Sequence, residues 1–205
     1  MASLLEKTRK INRLLSLAEN VSYEDVAKVL SSVLAANVYI TSREGEILGY
    51  AFVDDFECDL MVEKVLSRAA FPKAYVNFLL RQEETSPNRR SKTGRCAYKD
   101  DAKCKFHGKN TTIVPIYGVG ERIGTLIAAK YDEEFDEDDL ILAEYSALVV
   151  GMELLRAKRD AKEQEAARHV TVETVLGTLS YSEREAAVRI FEVLEAENRG
   201  EWPIT

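Results

Sequence analysis

Residues 111 to 156, TTIVPIYGVGERIGTLIAAKYDEEFDEDDLILAEYSALVVGMELLR, restrict the fold more than any other stretch of this chain. Two runs rich in β-branched residues, meeting around Gly118 and Gly120, predict an antiparallel hairpin. Asp136 then stands where a helix N-cap belongs. Glu137, Asp138 and Asp139 follow in the first turn, where free amides and the helix dipole favour acids. Leu140, Ile141, Tyr145, Leu148, Val149, Met152 and Leu155 recur at helical spacing, so a helix with a wide apolar face is expected to lie on the sheet.

The preceding chain supplies more of the same layers. Leu4, Leu5, Ile11, Leu14, Leu15 and Leu17 predict an amphipathic first helix, and Ser22 with Asp25 caps a second whose apolar face is Val26, Val29, Leu30, Val33 and Leu34. NVYITS (37–42) and ILGYAFV (47–53) form a second hairpin around Gly45. Residues 57–68 return to helical character, and Pro72 suits the first turn of a helix reaching Leu80. Residues 82–109 have weak periodicity and many polar residues, which predicts a long loop of the kind that is functional or disordered. Beyond Leu155 the charged run RAKRDAKEQEAARH continues the long helix as a linker up to Gly177, and Ser180 with Glu183 caps a last helix. The order gives one antiparallel sheet with helices on it, an α+β domain.

Composition narrows the classes of function. No apolar run reaches the roughly 18 residues of a membrane span, and the charged first twenty residues are unlike a secretory signal, so a cytoplasmic protein is expected. Three cysteines, Cys58, Cys96 and Cys104, fit a reducing compartment better than a disulfide framework. The net charge is −7. From residue 136 onward 16 acids face 8 bases, which repels nucleic acid, whereas residues 81–110 carry 9 bases and 4 acids, a local surplus read as a solvated loop or an anion contact.

Catalytic signatures are scarce: two histidines, His107 and His169, no phosphate-cradling loop ahead of a helix, no nucleophile elbow and no zinc-protease motif. The chain is therefore expected not to be an enzyme. The run Gly118-Val-Gly120-Glu-Arg-Ile-Gly124 sits inside a hairpin and reads as turn glycine. Cys58, Cys96, Cys104 and His107 are residue types that bind metal, but without a tight Cys-x-x-Cys pair. They leave open a thiol- or metal-based redox sensor. Met61, Val65, Phe71, Pro72 and Tyr75, next to the long loop, suit a small apolar ligand under a lid, and core packing would select the same residues. A ligand-free dimerisation module is the third alternative.

The sequence blocks MASLLEKTRKIN, ILGY, FPKAY, TTIVPIYGVGERIGTL, FDEDDLILAEYSALVVGMELLR and LSYSE together resemble the CodY family of global transcriptional regulators. The resemblance runs from residue 1 to about 195. It implies a GAF-like metabolite-sensing domain over 1–155, a linker helix over 156–178, and at 179–205 the truncated start of a winged helix-turn-helix domain. That last domain binds operator DNA as a homodimeric repressor, so this chain is expected not to bind DNA specifically by itself. The resemblance implies no required cofactor. Its effectors are branched-chain amino acids, isoleucine-like, and GTP. It places Met61, Phe71, Pro72 and Tyr75 around the amino-acid side chain and Cys96, Ala97 and Tyr98 on the ligand-facing loop, where Asp100 stands in place of a common apolar residue as a candidate partner for the ammonium or a solvent-facing acid. It places the nucleotide near Ser42, Arg43 and Glu153. The chain departs from the family pattern at Leu60, where isoleucine-binding members carry an arginine for the carboxylate, and at Glu44 and Glu46, where they carry bases.

Overall fold

The computed structural model describes residues 3–17, 22–53, 58–90, 108–131 and 133–178, together with Gly94, Cys96, Cys104 and scattered residues between 180 and 193. The elements are α1 (Leu4–Leu17), α2 (Tyr23–Leu34), β1 (Asn37–Ser42), β2 (Ile47–Ala51), α3 (Asp59–Lys64), a 3-10 turn (Leu66–Arg68), α4 (Lys73–Leu80), β3 (Ser86–Arg89), β4 (Lys109–Gly118), β5 (Glu121–Tyr131) and α5 (Glu137–Thr178). The five strands form one antiparallel sheet in the order β2-β1-β5-β4-β3. The chain divides into two compact units, residues 1–155 and 156–205.

Because side chains alternate along a strand, each central strand feeds two cores. Val38 and Ile40 of β1, Val114 and Ile116 of β4, and Leu126 and Ala128 of β5 face α1, α2 and α5 in the larger core, with Leu30, Leu34, Leu142 and Val150. Full burial of each leucine- or isoleucine-sized side chain there contributes about 1.5–3 kcal/mol. The intervening residues Tyr39, Ile127 and Ile113 face the other way. The ladders put Tyr39 opposite Ile127 and Ile127 opposite Ile113, so the three make a row across the sheet. Met61, Val65, Phe71, Val76 and Leu79 cover that row from α3 to α4, completing a second core.

The helix caps form as their residues dictate. Ser22 Oγ accepts the Asp25 amide at 3.1 Å, and Asp136 Oδ1 accepts the Asp139 amide at 2.8 Å. Pro72 is the N-cap of α4 rather than a residue of its first turn. Val119 and Gly120 form the β4–β5 turn, both with positive φ. In the second unit Ser180 donates its hydroxyl to Glu183 at 2.6 Å and its amide at 2.8 Å, and these bonds, the hydroxyl's first, hold the Glu183 carboxyl below its usual range. Ser182, Glu183, Glu185, Ala186, Val188, Arg189, Ile190 and Val193 are helical, while the rest of the last predicted helix lies outside the described residues.

Two expectations are corrected. Residues 82–109 are not all loop, because Ser86–Arg89 add a fifth strand, with Ser86 paired to Ile113 and Arg89 to Thr111. The segment SPNR has little strand propensity, and what recruits it is the open edge of β4. On α5, the buried side is Asp139, Leu142, Ala143, Ser146, Ala147, Val149, Val150 and Gly151. Ile141, Leu148 and Met152, counted in the predicted inner face, are 52%, 60% and 57% exposed. Small residues decide the packing: a Cβ on Gly151 would come within 2.6 Å of the Tyr117 carbonyl oxygen, so helix and strand touch there backbone to backbone.

Candidate functional site

A chain of aromatic rings runs through the second core. Tyr39 meets Phe52 edge-on at 5.8 Å and Phe71 at 5.8 Å; Phe71 continues to Tyr75 at 5.2 Å, and Tyr75 to Phe78 at 5.8 Å. Tyr50 extends the chain of rings from β2 through Phe52 at 5.3 Å, and the Arg89 guanidinium caps its far end 5.2 Å over Phe78. Edge-to-face pairs of this kind contribute about 0.5–1.5 kcal/mol beyond their buried area. Met61 and Phe71 are buried among them, while Tyr75 and Cys58 are half-buried at the margin.

The cover over this face is clipped to the β1–β2 turn. Phe71 donates its amide to the Gly45 carbonyl at 2.9 Å, and Ile47 donates to Ala69 at 2.7 Å. A bridge between Glu46 and Ala70 lies between these bonds. Gly45 has φ +93, and a Cβ there would meet Val76 at 2.3 Å, so glycine is required both by the turn and by α4. At the other end of the cover, Arg122 reaches back from β5 and donates to the carbonyls of Leu79, at 3.2 Å, and of Gln82. A cation there meets carbonyls at the negative end of α4, among them that of Leu79, which also accepts the Gln82 amide at 3.0 Å.

Burial raises the phenol pKa of Tyr39 well above its ordinary value, with smaller contributions from Tyr131, Tyr75, Cys58 and Tyr50. Tyr131 is raised in the same way, with Cys58 and Cys104 nearby, against a hydrogen bond from the Asn37 amide at 3.5 Å. Both phenols therefore hold their protons to higher pH than a free tyrosine does.

The structure brings Met61, Phe71 and Tyr75 together in one cluster with Tyr39, while Pro72, the half-buried N-cap of α4, is outside that cluster. Cys96 and Cys104 are half-buried and in no disulfide, with the Cys104 amide bonded to the Gly94 carbonyl at 2.8 Å. Ala97, Tyr98, Asp100 and His107 lie outside the described residues. Leu60 is half-buried in α3. Among the described residues no group of three His, Cys, Asp or Glu side chains is placed to hold a metal ion.

The residues expected near a nucleotide gather at one end of the sheet. Ser42 closes β1 opposite Gly124, where a Cβ would lie 3.6 Å from Leu154, the neighbour of Glu153. Ser42 Oγ accepts the Glu46 amide at 3.2 Å; Arg43, Glu44 and Glu46 are exposed, and Glu153 raises the pKa of the partly buried Tyr23 phenol, after burial itself.

Sequence reasoning missed Tyr39, Phe52, Phe78, Ile113 and Ile127. The usable signal was strand alternation: once Val38 and Ile40 are assigned to one core, Tyr39 must face the other.

A five-stranded antiparallel sheet with its structural helices on one face, and a short-helix cover over an aromatic floor on the other, defines a GAF-like domain. A family model described as the CodY GAF-like domain matches residues 3–178, and the chain belongs to the CodY family. It is 48% identical over 197 residues to the global transcriptional regulator CodY of Clostridium kluyveri, spanning 95% of this chain and 76% of the relative. It is 46% identical over 199 residues to the regulator of the same name from Clostridium perfringens, spanning 96% of this chain and 77% of the relative. Among solved structures, the cofactor binding GAF domain of the nutrient sensor CodY from Clostridium difficile matches with a TM-score of 0.51 and 35% identity, covering 75% of this chain and 99% of that one. The family's role is transcriptional regulation, not catalysis. No helix among the described residues is long and apolar enough to cross a membrane.

Proposed function

We propose that this chain is the effector-sensing part of a CodY-type repressor that acts in the cytoplasm on operator DNA through a winged-helix segment. The effector is a branched-chain amino acid whose side chain packs on Met61, Phe71, Pro72 and Tyr75, with Cys96, Ala97, Tyr98 and Asp100 on the loop facing its polar end. The single observation that carries this reading is the aromatic and thioether floor on the second face of the sheet. Leu60 offers no cation to the effector's carboxylate, so recognition leans on the apolar side chain and on other N–H donors. GTP is the second effector, near Ser42, Arg43 and Glu153; the exposed acids Glu44 and Glu46 weaken its binding.

The regulator works as a homodimer. Ile141, Tyr145, Leu148, Met152 and Leu155 follow the alternating four- and three-residue spacing of a coiled-coil seam, and the first, third and fourth are exposed along α5. Effector binding shifts the population between two states of the dimer, which requires the ligand to prefer one of them.

The test is thermal unfolding with isoleucine, leucine, valine and GTP. A ligand at 100 times its Kd stabilises by about 2.7 kcal/mol, which is readily seen as a shift in Tm. Absence of any shift at millimolar concentration of all three amino acids removes the amino-acid reading, and absence with GTP removes the nucleotide.

A further inference from the structure

Away from both of these places, α1 and α2 enclose a groove of about 670 Å³ lined by Glu6, Lys7, Arg9, Lys10, Arg13, Ser32 and Val33. We propose that it binds a small molecule carrying two or more phosphates.

Charge is the first argument. In a chain of net charge −7, four cations and one carboxylate line this groove. The carboxylate is already engaged: Glu6 Oε2 accepts the Ser3 amide at 2.9 Å, closing the start of α1. Two of the cations are held in place by neighbours. Lys10 Nζ donates to Ser32 Oγ at 2.7 Å, and Lys7 Nζ lies 3.4 Å from Asp139 Oδ1. Arg9 and Arg13, one helical turn apart, are exposed, and among the described residues neither is paired with a carboxylate. Two other exposed arginines, Arg156 and Arg189, are paired with acids one turn away, Asp160 and Glu185, whereas the acid one turn before Arg9, Glu6, is bonded to the Ser3 amide. Like charges brought together without counter-charges repel one another, and a bound anion relieves that repulsion.

Shape and side-chain chemistry set the ligand class. The volume falls in the range of about 300–1,000 Å³ typical of small-molecule sites. Guanidinium groups bind phosphate oxygens through two parallel N–H bonds, and the flanking lysines add compact charge. A nucleic-acid backbone needs a long basic track, and the net negative charge of this chain opposes it. The occupant also sits beside Lys7, which holds the first turn of α5 through Asp139, so the site touches the helix that leads out of the first unit.

The test is calorimetric titration of the whole chain with inorganic tripolyphosphate at low and moderate salt. In the Arg43→Gln background, which removes the triphosphate contact of the proposed nucleotide site, the expected result is one ion per chain, with affinity falling as salt rises. The Arg9→Gln/Arg13→Gln variant loses about tenfold or more, the scale of one charged hydrogen bond. Arg9→Lys/Arg13→Lys, which keeps the charge but loses the paired N–H bonds, binds more weakly than the wild type and more tightly than the glutamine variant, and Arg68→Gln, in the 3-10 turn, leaves binding unchanged. Lys10→Ala, which removes one lining cation, also weakens binding, so the outcome does not depend on the glutamine variant folding. No binding, or binding untouched by the Arg9 and Arg13 changes, overturns the site. A short DNA duplex that binds the same arginines more tightly than tripolyphosphate overturns the small-molecule assignment.

Discussion

The side-chain amide of Asn88 pairs with the backbone of Phe135 in both directions: Nδ2 donates to the carbonyl at 3.0 Å, and Oδ1 accepts the amide at 2.8 Å. Asn88 is in the left-handed region, φ 49, a conformation that asparagine tolerates and β-branched residues do not. The pair ties β3, the stem of the polar 91–107 segment, to the turn that starts α5. Two hydrogen bonds and an unsatisfied Phe135 amide make Asn88→Ala cost about 2–4 kcal/mol. Asn88→Gly keeps the backbone freedom and isolates the hydrogen-bond loss. Chemical denaturation gives the magnitude, and amide exchange at residues 133–136 should quicken in both variants. Exchange unchanged there would show that the pair does not hold the turn.

A second prediction concerns Asp139, whose carboxylate is almost fully buried between Lys7 and Lys130, with the Lys130 ammonium 4.9 Å over the Phe135 ring. Asp139→Asn leaves the Lys130 charge buried without its partner, a loss of about 3–5 kcal/mol. Replacing both partners, Lys130→Met with Asp139→Leu, should recover most of that loss. If the double replacement is as unstable as the single one, the cost lies in something other than the stranded charge.

Alkaline stability follows from the raised phenols of Tyr39 and Tyr131. The unfolded chain releases these protons near the ordinary value of 10.0, while the folded chain still holds them. Above that pH the unfolded state therefore binds fewer protons, and stability falls with rising pH; below it this contribution is fully present. Tyr39→Phe should flatten the fall between pH 10 and 11.5, measured by urea midpoints. Absorbance at the phenolate band should show two tyrosines ionising only together with unfolding.

The stripe on α5 gives a fourth expectation. Leu148→Glu and Met152→Lys alter exposed side chains, so each should change monomer stability by about 0.5 kcal/mol or less. Together they should shift sedimentation toward the monomer. An unchanged distribution would place the dimer contact elsewhere.

The layers of this fold were legible because caps, hairpin turns and strand alternation are local signals. Ser22, Asp136 and Gly45 each do what their residue type requires within a few positions. β3 was not legible, since nothing in Ser86–Arg89 demands a strand and the cause lies some 25 residues away, at the edge of β4. The inner face of α5 was misassigned because counting large apolar residues overlooks Ala143, Ser146, Ala147 and Gly151, which permit the closest approach and leave Ile141, Leu148 and Met152 outside. Of the site, Met61, Phe71 and Tyr75 could be found as a local apolar group. Tyr39 and Ile127, the floor beneath them, are set by pairing between distant strands.

The ring chain from Tyr50 to Phe78 makes the second core its own reporter. Methyl groups of Met61, Val65, Ile113 and Ile127 belong to the same cluster as these aromatic rings, whose ring currents displace their resonances from ordinary values. Any molecule that enters this core must tilt or part those rings, so its arrival can be followed methyl by methyl in the unmodified protein, with no dye or engineered tag.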